Sequence, residues 1–406
     1  MLKVLIWGTG GTWKHIKEYL DYDEIDIVGF VDNAPSCLEI NICGKNFQVL
    51  SPHEYLKKEK TIDKIFIASM YFIEIQEQLI KEFGIEKEKI EIYKFPSKII
   101  KESYFVEIEK MKRQEDLRNK IISEMHLQAK ILNYININKE NILSINEIEY
   151  KVYSQWGEDG IIQYLIHKLP IKNKTFIEFG VEDYQESNTR FLLEENNWSG
   201  MVIDASHKNI ESIKKEELYW KYDLKAFESF VTKDNINELL NLSEFDEDLG
   251  LLSIDIDGND YWILKEIDAM KPRILICEYN AIYGEKDAVT ISYKEDFYRT
   301  KEHYSNLYFG ASLEAIKQLA KEKGYCFIGT NYNACNAFFV REELASYLPK
   351  NIINSSEFPI YKYRQARDKN GKLLYLSRKE EVALIAEQKV YDVREKKIKK
   401  ISELNL

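Results

Sequence analysis

The chain has 406 residues, of which 45% are hydrophobic and 31% charged, and its formal net charge is -11. That length allows two or three domains, and that apolar share supports globular cores and excludes wholesale disorder. The acidic balance argues against a nucleic-acid partner held through the global field. The cysteines at 37, 43, 277, 326 and 335 form no C-x-x-C pair, which points to a reducing compartment and no structural zinc.

Met1-Leu2-Lys3-Val4-Leu5-Ile6-Trp7 runs straight into a glycine turn and lacks the longer apolar core and cleavage site of a signal peptide. No apolar stretch approaches the ~20 residues of a membrane helix. The expectation is a cytoplasmic protein without a transmembrane segment. Residues 1–98 read as a small Rossmann-like unit: strand 3–7, turn Gly8-Thr9-Gly10-Gly11, helix 12–20, strand 25–31 ending at Asp32, strand 62–69 and helix 74–83. Gly8-x-Gly10 between strand and helix, with Asp32 about 20 residues on, is similar to a dinucleotide fingerprint. Trp13 stands at the third glycine position and opposes that reading. The alternatives are an NAD site at Gly8–Asp32, which would make the chain an oxidoreductase or epimerase, and a plain turn in a docking or dimerisation domain. With Gly29-Phe30-Val31-Asp32-Asn33 closing its second strand, the unit resembles the small Rossmann-like domain of sugar acyltransferases.

Residues 99–149 form a helical linker. Ile108, Met111, Leu117, Ile121, Met125, Ala129 and Leu132 recur at helical spacing in a charged segment without Gly or Pro. That stripe is expected to pack on a domain or to join a second copy in a homo-oligomer, and a non-catalytic assembly protein is a further alternative.

A second α/β unit spans 150–345. Its elements are helix 159–169, strand 175–179, helix 188–196, strand 200–204, helix 208–219, strand 224–231, helix 234–241, strand 250–255, helix 260–267 and strand 273–279. A polar, aromatic stretch at 281–310 reads as a lid or acceptor loop. Helix 312–323 and an antiparallel strand pair, 325–330 and 336–340, complete a mostly parallel seven-stranded sheet. Residues 346–406 form a C-terminal extension expected to pack on this unit.

Four apolar runs of the second unit end on acids: Glu178, Asp204, Asp255 with Asp257, and Glu278. In an open α/β sheet these are carboxyl-end positions, where ligands bind. Only Gly180 follows Glu178, so no glycine nest exists for a pyrophosphate. A cofactor without phosphates and with positive charge suits such an edge, and S-adenosylmethionine (SAM) meets that description. Asp204 is placed to accept the ribose hydroxyls, and Glu178 and Glu182 to meet the amino-acid end.

Phe176-Ile-Glu-Phe-Gly180, Asp204, Ser253-Ile-Asp-Ile-Asp-Gly258 and Pro272-x-Ile-Leu-Ile-Cys-Glu278 together resemble the FkbM-type SAM-dependent methyltransferases. Tyr153-Ser-Gln-Trp-Gly-Glu-Asp-Gly160, Gly310-Ala-Ser-Leu313 and Asn336-Ala-Phe-Phe-Val340 are similar to a bacterial subgroup of them. The likeness covers roughly 150–345 and departs from the family at Glu182 and Asp257. It implies a class I SAM methyltransferase fold and O-methyl transfer to a sugar hydroxyl. The first unit's likeness adds a nucleotide-linked sugar of surface polysaccharide, in capsule or lipopolysaccharide, as the acceptor.

Gly180, Gln155, Asn235 and Asp255 join Glu178, Glu182 and Asp204 as candidate cofactor residues, with Asn237 beside Asn235 near the adenine. Asp255, Asp257 and Glu278 form the acceptor site or hold Mg²⁺ or Mn²⁺ through oxygen ligands. His303 and Asp257 are the candidate bases. Tyr279, Tyr283, Tyr293, Tyr298, Tyr304 and Tyr308 suit stacking on a sugar face or a nucleotide base, Trp156 and Asp159 the lining of the cofactor pocket, and Asp260 with Asn280 the metal's oxygen set. Plainer readings stand beside these: Trp156 and Asp159 as packing and helix cap, Asp260 as a cap, and the tyrosines as a small core under the loop.

Overall fold

The computed structural model describes residues 1–57, 61–353 and 366–406, so 354–365 of the expected C-terminal extension lie outside the described residues. The chain divides into two compact units, Met1–Ile122 and Ser123–Leu406. Among the described residues no helix is long and apolar enough to cross a membrane.

The first unit holds β1 (Leu2–Trp7), β2 (Ile25–Val31), β3 (Glu39–Ile42), β4 (Lys45–Leu50), β5 (Lys64–Ile67) and β6 (Ile90–Ile92) in the order β3-β4-β2-β1-β5-β6. All neighbours pair parallel except β3 with β4. That hairpin was not anticipated. Its turn is Cys43-Gly44, both with positive φ (49° and 79°), the two-residue geometry that matches strand twist. Gly8 is obligatory: φ is +113°, and a Cβ would lie 2.7 Å from the Ala68 carbonyl oxygen. Asp32 is turned back onto this glycine turn. Its Oδ2 accepts from Thr9 N and Thr9 Oγ1, each at 2.7 Å, and its Oδ1 from Ala34 N at 3.0 Å. Trp13 is buried edge-on against Phe30, 4.9 Å between ring centres.

One long helix spans Glu102–Ile137. Within the first unit Tyr104 and Ile108 join the core. Within the second, Met125 and Ala129 pack with Val152, Tyr153 and Phe191. Leu117, Ile121 and Leu132 of the expected stripe are exposed.

The second unit is a Rossmann-like mixed α/β fold. Its strands are β7 (Thr175–Phe179), β8 (Ser199–Asp204), β9 (Leu224–Glu228), β10 (Leu251–Ile254), β11 (Ile274–Glu278), β12 (Val289–Ile291), β13 (Tyr325–Thr330) and β14 (Asn336–Arg341). The main sheet runs β13-β14-β11-β10-β7-β8-β9, seven strands with only β14 reversed. Side chains alternate between two buried faces. Phe176, Ile274 and Ile276 face one core, with helices Glu158–Lys168, Arg190–Asn196 and His207–Lys215. Ile177, Leu275 and Cys277 face the other, with helices Ile236–Asn241, Asp260–Glu266 and Leu313–Glu322. Burial on both faces is why these strands read as unbroken apolar runs.

A small sheet was not foreseen. β12 pairs antiparallel with β15 (Lys389–Asp392), and β15 with β16 (Lys397–Lys400). Beneath it Tyr283, Val289, Phe297, Tyr308, Phe309 and Val390 form a separate core, so Tyr283 and Tyr308 serve packing, the plainer of the two readings.

Strand order reverses direction about β7, whose neighbours are β8 and β10. Crevices at such switch points take ligands. Gly180 makes the crossing possible: its φ is +74°, and a Cβ would fall 1.6 Å from the Asp255 carbonyl oxygen. Gly180→Ala is therefore expected to destabilise the fold by more than about 1 kcal/mol, read as a lowered urea midpoint with unchanged slope. An unaltered midpoint would show that the contact is not needed.

Candidate active site

A cavity of about 800 Å³ opens at the carboxyl ends of β7, β8, β10 and β11. Its wall carries the carboxyls of Glu178, Glu182, Asp183, Glu186, Asp204, Asp255, Asp257 and Glu278, and the guanidinium of Arg299 is the cation among the described lining residues. A cleft of one sign focuses its field and draws in cations.

Glu178, 4% exposed, uses most of its acceptor capacity on the turn that follows. Oε2 accepts from Ser187 Oγ (2.6 Å), Thr189 Oγ1 (2.5 Å) and Thr189 N (3.2 Å), and Oε1 from Asn188 N (2.9 Å). Burial raises its pKa, and these bonds pull it partly back. A ligand amine can meet Glu178 only through the lone pair left on Oε1.

Asp204 closes β8. Oδ1 accepts from Ser206 N (2.8 Å) and Asn209 Nδ2 (3.1 Å), and Oδ2 from Glu182 N (2.9 Å). The left-handed backbone of Glu182 (φ 47°) turns its amide toward Asp204. The Glu182 side chain is exposed on the cavity rim; burial, then the charges of Asp183 and Asp204, raise its pKa. Gly180 and Gln155 also line the cavity.

Asp255, Asp257 and Glu278 bring carboxylate oxygens within 4.8 Å of one another. Burial first, then neighbouring carboxylates, pushes Asp255 and Glu278 well above the ordinary carboxyl range, with Arg299 offsetting part. Arg299 Nη1 donates to Asp257 Oδ1 at 2.6 Å, Nε donates to Asn306 O at 2.7 Å, and the guanidinium lies 3.5 Å from the centre of the Phe309 ring. Oxygen donors at this spacing suit Mg²⁺ or Mn²⁺. The guanidinium already neutralises Asp257, however, so the residues as arranged do not fit an ion unless Arg299 is displaced. Asp260 accepts from Ile256 N and Gly258 N, both at 2.9 Å, and braces its loop; burial raises its pKa to about 6.

Three expected residues lie off the cavity wall. His303 closes a turn, its Nδ1 accepting from Ser305 N (3.3 Å) and meeting Ser305 Oγ at 2.7 Å, and burial lowers its pKa. Asn235 braces the 230–235 turn, accepting from Thr232 N and donating to Phe230 O. Asn237 holds Glu266 O, Asp268 N and Ala269 N. In each the polar group is consumed by local backbone. Asp159 is likewise a brace: its Oδ2 accepts from Val152 N, Tyr153 N, Ser154 N and Ser154 Oγ. The sequence reading missed Arg299, Phe230 and Asn336, all lining the cavity, where Phe230 pairs with Tyr298 (ring centres 5.4 Å apart), one of the tyrosines named for stacking. Asn336 had a signal, since it opens the Asn336–Val340 motif. Arg299 had none beyond its place in the 281–310 loop.

Residues 1–91 match the family model described as "C2185-like, N-terminal". No curated protein matches the chain. Among solved structures the chain is similar to a SAM dependent methyltransferase from Aquifex aeolicus, at 8% identity over 44% of this chain and 88% of that one, with a TM-score of 0.26. It is also similar to an S-adenosylmethionine-dependent methyltransferase from Clostridium acetobutylicum ATCC 824 (10%, 45% and 90%, TM-score 0.28). A third likeness is to the N-terminal domain of EvdMO1 with SAH bound (9%, 55% and 96%, TM-score 0.31). At these TM-scores the likenesses carry no argument about activity.

Because Glu278 binds a proton more tightly folded than unfolded, its charge costs stability as pH rises above the unfolded value of about 4. Glu278→Gln should raise the melting temperature at pH 8 by about 2–4 °C, the shift of roughly 1 kcal/mol in a domain of this size, and the gain should vanish near pH 4. Identical melting curves at pH 8 would contradict a buried charge cost at this site.

Proposed function

We propose that the second unit is an FkbM-type, SAM-dependent O-methyltransferase acting on a sugar hydroxyl, with surface polysaccharide as the destination of the product. One observation carries the reading: a cleft at the switch point whose charged lining is eight carboxyls against one guanidinium among the described residues, with Asp204 at the tip of β8 and no glycine nest. Such a wall suits a ribose diol and a cationic cofactor and opposes a dinucleotide. The same field opposes a pyrophosphate on the acceptor, so a sugar without a nucleotide fits better than the nucleotide-linked form expected from the sequence.

When bound, SAM supplies an electrophilic methyl group on a sulfonium, whose sulfur keeps the C–S electron pair as the acceptor oxygen forms the new C–O bond. The residues of the chain orient the two partners and exclude water. Asp255 takes the hydroxyl proton in this reading. Its raised pKa makes it a stronger base than an ordinary carboxylate, whereas Asp257 is held by Arg299 and His303 is away from the cavity. Arg299 supplies the positive charge that a metal would otherwise bring.

Asp204→Ala should abolish adenosylhomocysteine binding in calorimetry, and unchanged affinity would remove Asp204 from the cofactor site. Incubation with SAM and a panel of sugars should give a mass gain of one methyl that survives EDTA. A gain lost in EDTA and restored by Mg²⁺ or Mn²⁺ would return the acidic triad to metal binding.

A further inference from the structure

The inner wall of the cleft contains two buried acceptor atoms that the protein leaves unanswered. Glu278 and Asn336 are directly opposed in the register of β11 and β14. They are 6% and 4% exposed, and both line the cavity. Among the described residues neither Glu278 Oε2 nor Asn336 Oδ1 accepts from an N–H or hydroxyl donor, and the neighbouring Asp255 carboxyl can meet Glu278 only by sharing a proton. Burying such atoms without a donor is costly, the more so for a charged group, so a ligand donor is the expected remedy.

The orientation of Asn336 is fixed from behind. Its Nδ2 donates to Glu158 Oε1 at 2.9 Å, and Asn331 Nδ2 donates to the same oxygen at 2.6 Å. An ionised carboxylate only accepts, so the amino end of the Asn336 amide faces Glu158 and its carbonyl oxygen faces away from it. Glu158 is thus a positioning residue for an acceptor that the cleft presents.

Charge selects the donor. Arg299 pairs directly with Asp257, and among the described residues no salt bridge reaches Asp255 or Glu278, whose charge Arg299 offsets only in part. A hydroxyl offers one hydrogen and no charge. An ammonium offers three hydrogens and a positive charge, matching Glu278 Oε2, Asn336 Oδ1 and the Asp255 carboxylate. We propose that Glu278 and Asn336 seat a protonated amine of the acceptor, making the substrate an amino sugar whose neighbouring hydroxyl is turned toward Asp255. The assignment of the neighbouring hydroxyl rests on the methyl-transfer reading; the amine seat does not.

The test is calorimetric titration of the full chain with glucosamine, galactosamine and mannosamine, each against its N-acetyl counterpart, and separately with adenosylhomocysteine. At least one free amine should bind ten-fold or more tightly than its N-acetyl form, and Glu278→Gln and Asn336→Leu should each erase that preference. Glu278→Gln is expected to be the more stable of the two variants and reports even if Asn336→Leu fails to fold. Equal or tighter binding of the N-acetyl sugars, absence of binding by all three amines, or a preference that survives Glu278→Gln would overturn the amine seat. Amine preference without adenosylhomocysteine binding would instead overturn the methyl-transfer reading and uphold the seat.

Discussion

The close passage of Gly180 over the Asp255 carbonyl is the contact on which the site depends. β7 and β10 are neighbours in the sheet, and the chain leaves β7 through a left-handed glycine that passes too close to the Asp255 carbonyl for any side chain. Convergence brings the ends of β8 and β11 within reach of the same cavity. It also forces local strain: Glu182, Tyr184 and Asp257 all adopt positive φ close by. Conformations of this kind persist where surrounding bonds over-determine them. Here the Glu182 amide is held by Asp204, Tyr184 is fully buried, and Asp257 is held by Arg299.

Acids that look alike at the strand ends divide into two groups once their donors are counted. Glu178, Asp159 and Asp260 each collect backbone N–H groups of a neighbouring turn and act as braces. Asp255 and Glu278 collect no backbone N–H among the described residues, lie beside one another, and are pushed toward the protonated form. The first group costs little to bury because each charge is met by several dipoles. The second is expensive to bury alone, and that expense is tolerable if a ligand offsets it. Strand position alone does not separate brace from binder; the loop after the strand decides.

This explains what the sequence could and could not reveal. The central strands β7, β8, β10 and β11 were legible because both of their faces are buried, and apolar runs such as 201–203 and 274–277 have no solvent-facing alternative. β3, β12, β15 and β16 are three or four residues long, too short for a periodic signal, and β12 finds its partner about a hundred positions away. Helix 208–219 divides at Glu216 into His207–Lys215 and Glu217–Lys221, a break without Gly or Pro to announce it. The acids of the cavity were legible by position. The fates of Asn235 and His303 were not, because short polar side chains bond their own turns as readily as a ligand.

Arg299 shows how far the 281–310 segment shapes the cavity. Its guanidinium is stacked on Phe309, which belongs to the small core under β12, and its Nε is tied to Asn306 O. The cation is therefore held by the 281–310 segment where it meets Asp257. Phe297 of the same segment packs on Gly258, where a Cβ would approach its ring to 2.3 Å. The loop after β10 is thus gripped twice by one segment, once through charge and once through close packing. That double grip fixes which of the three clustered acids is neutralised. It leaves Asp255 and Glu278, deeper in the cleft, with no salt bridge among the described residues, and this asymmetry, more than the number of acids, distinguishes the inner wall from the rim.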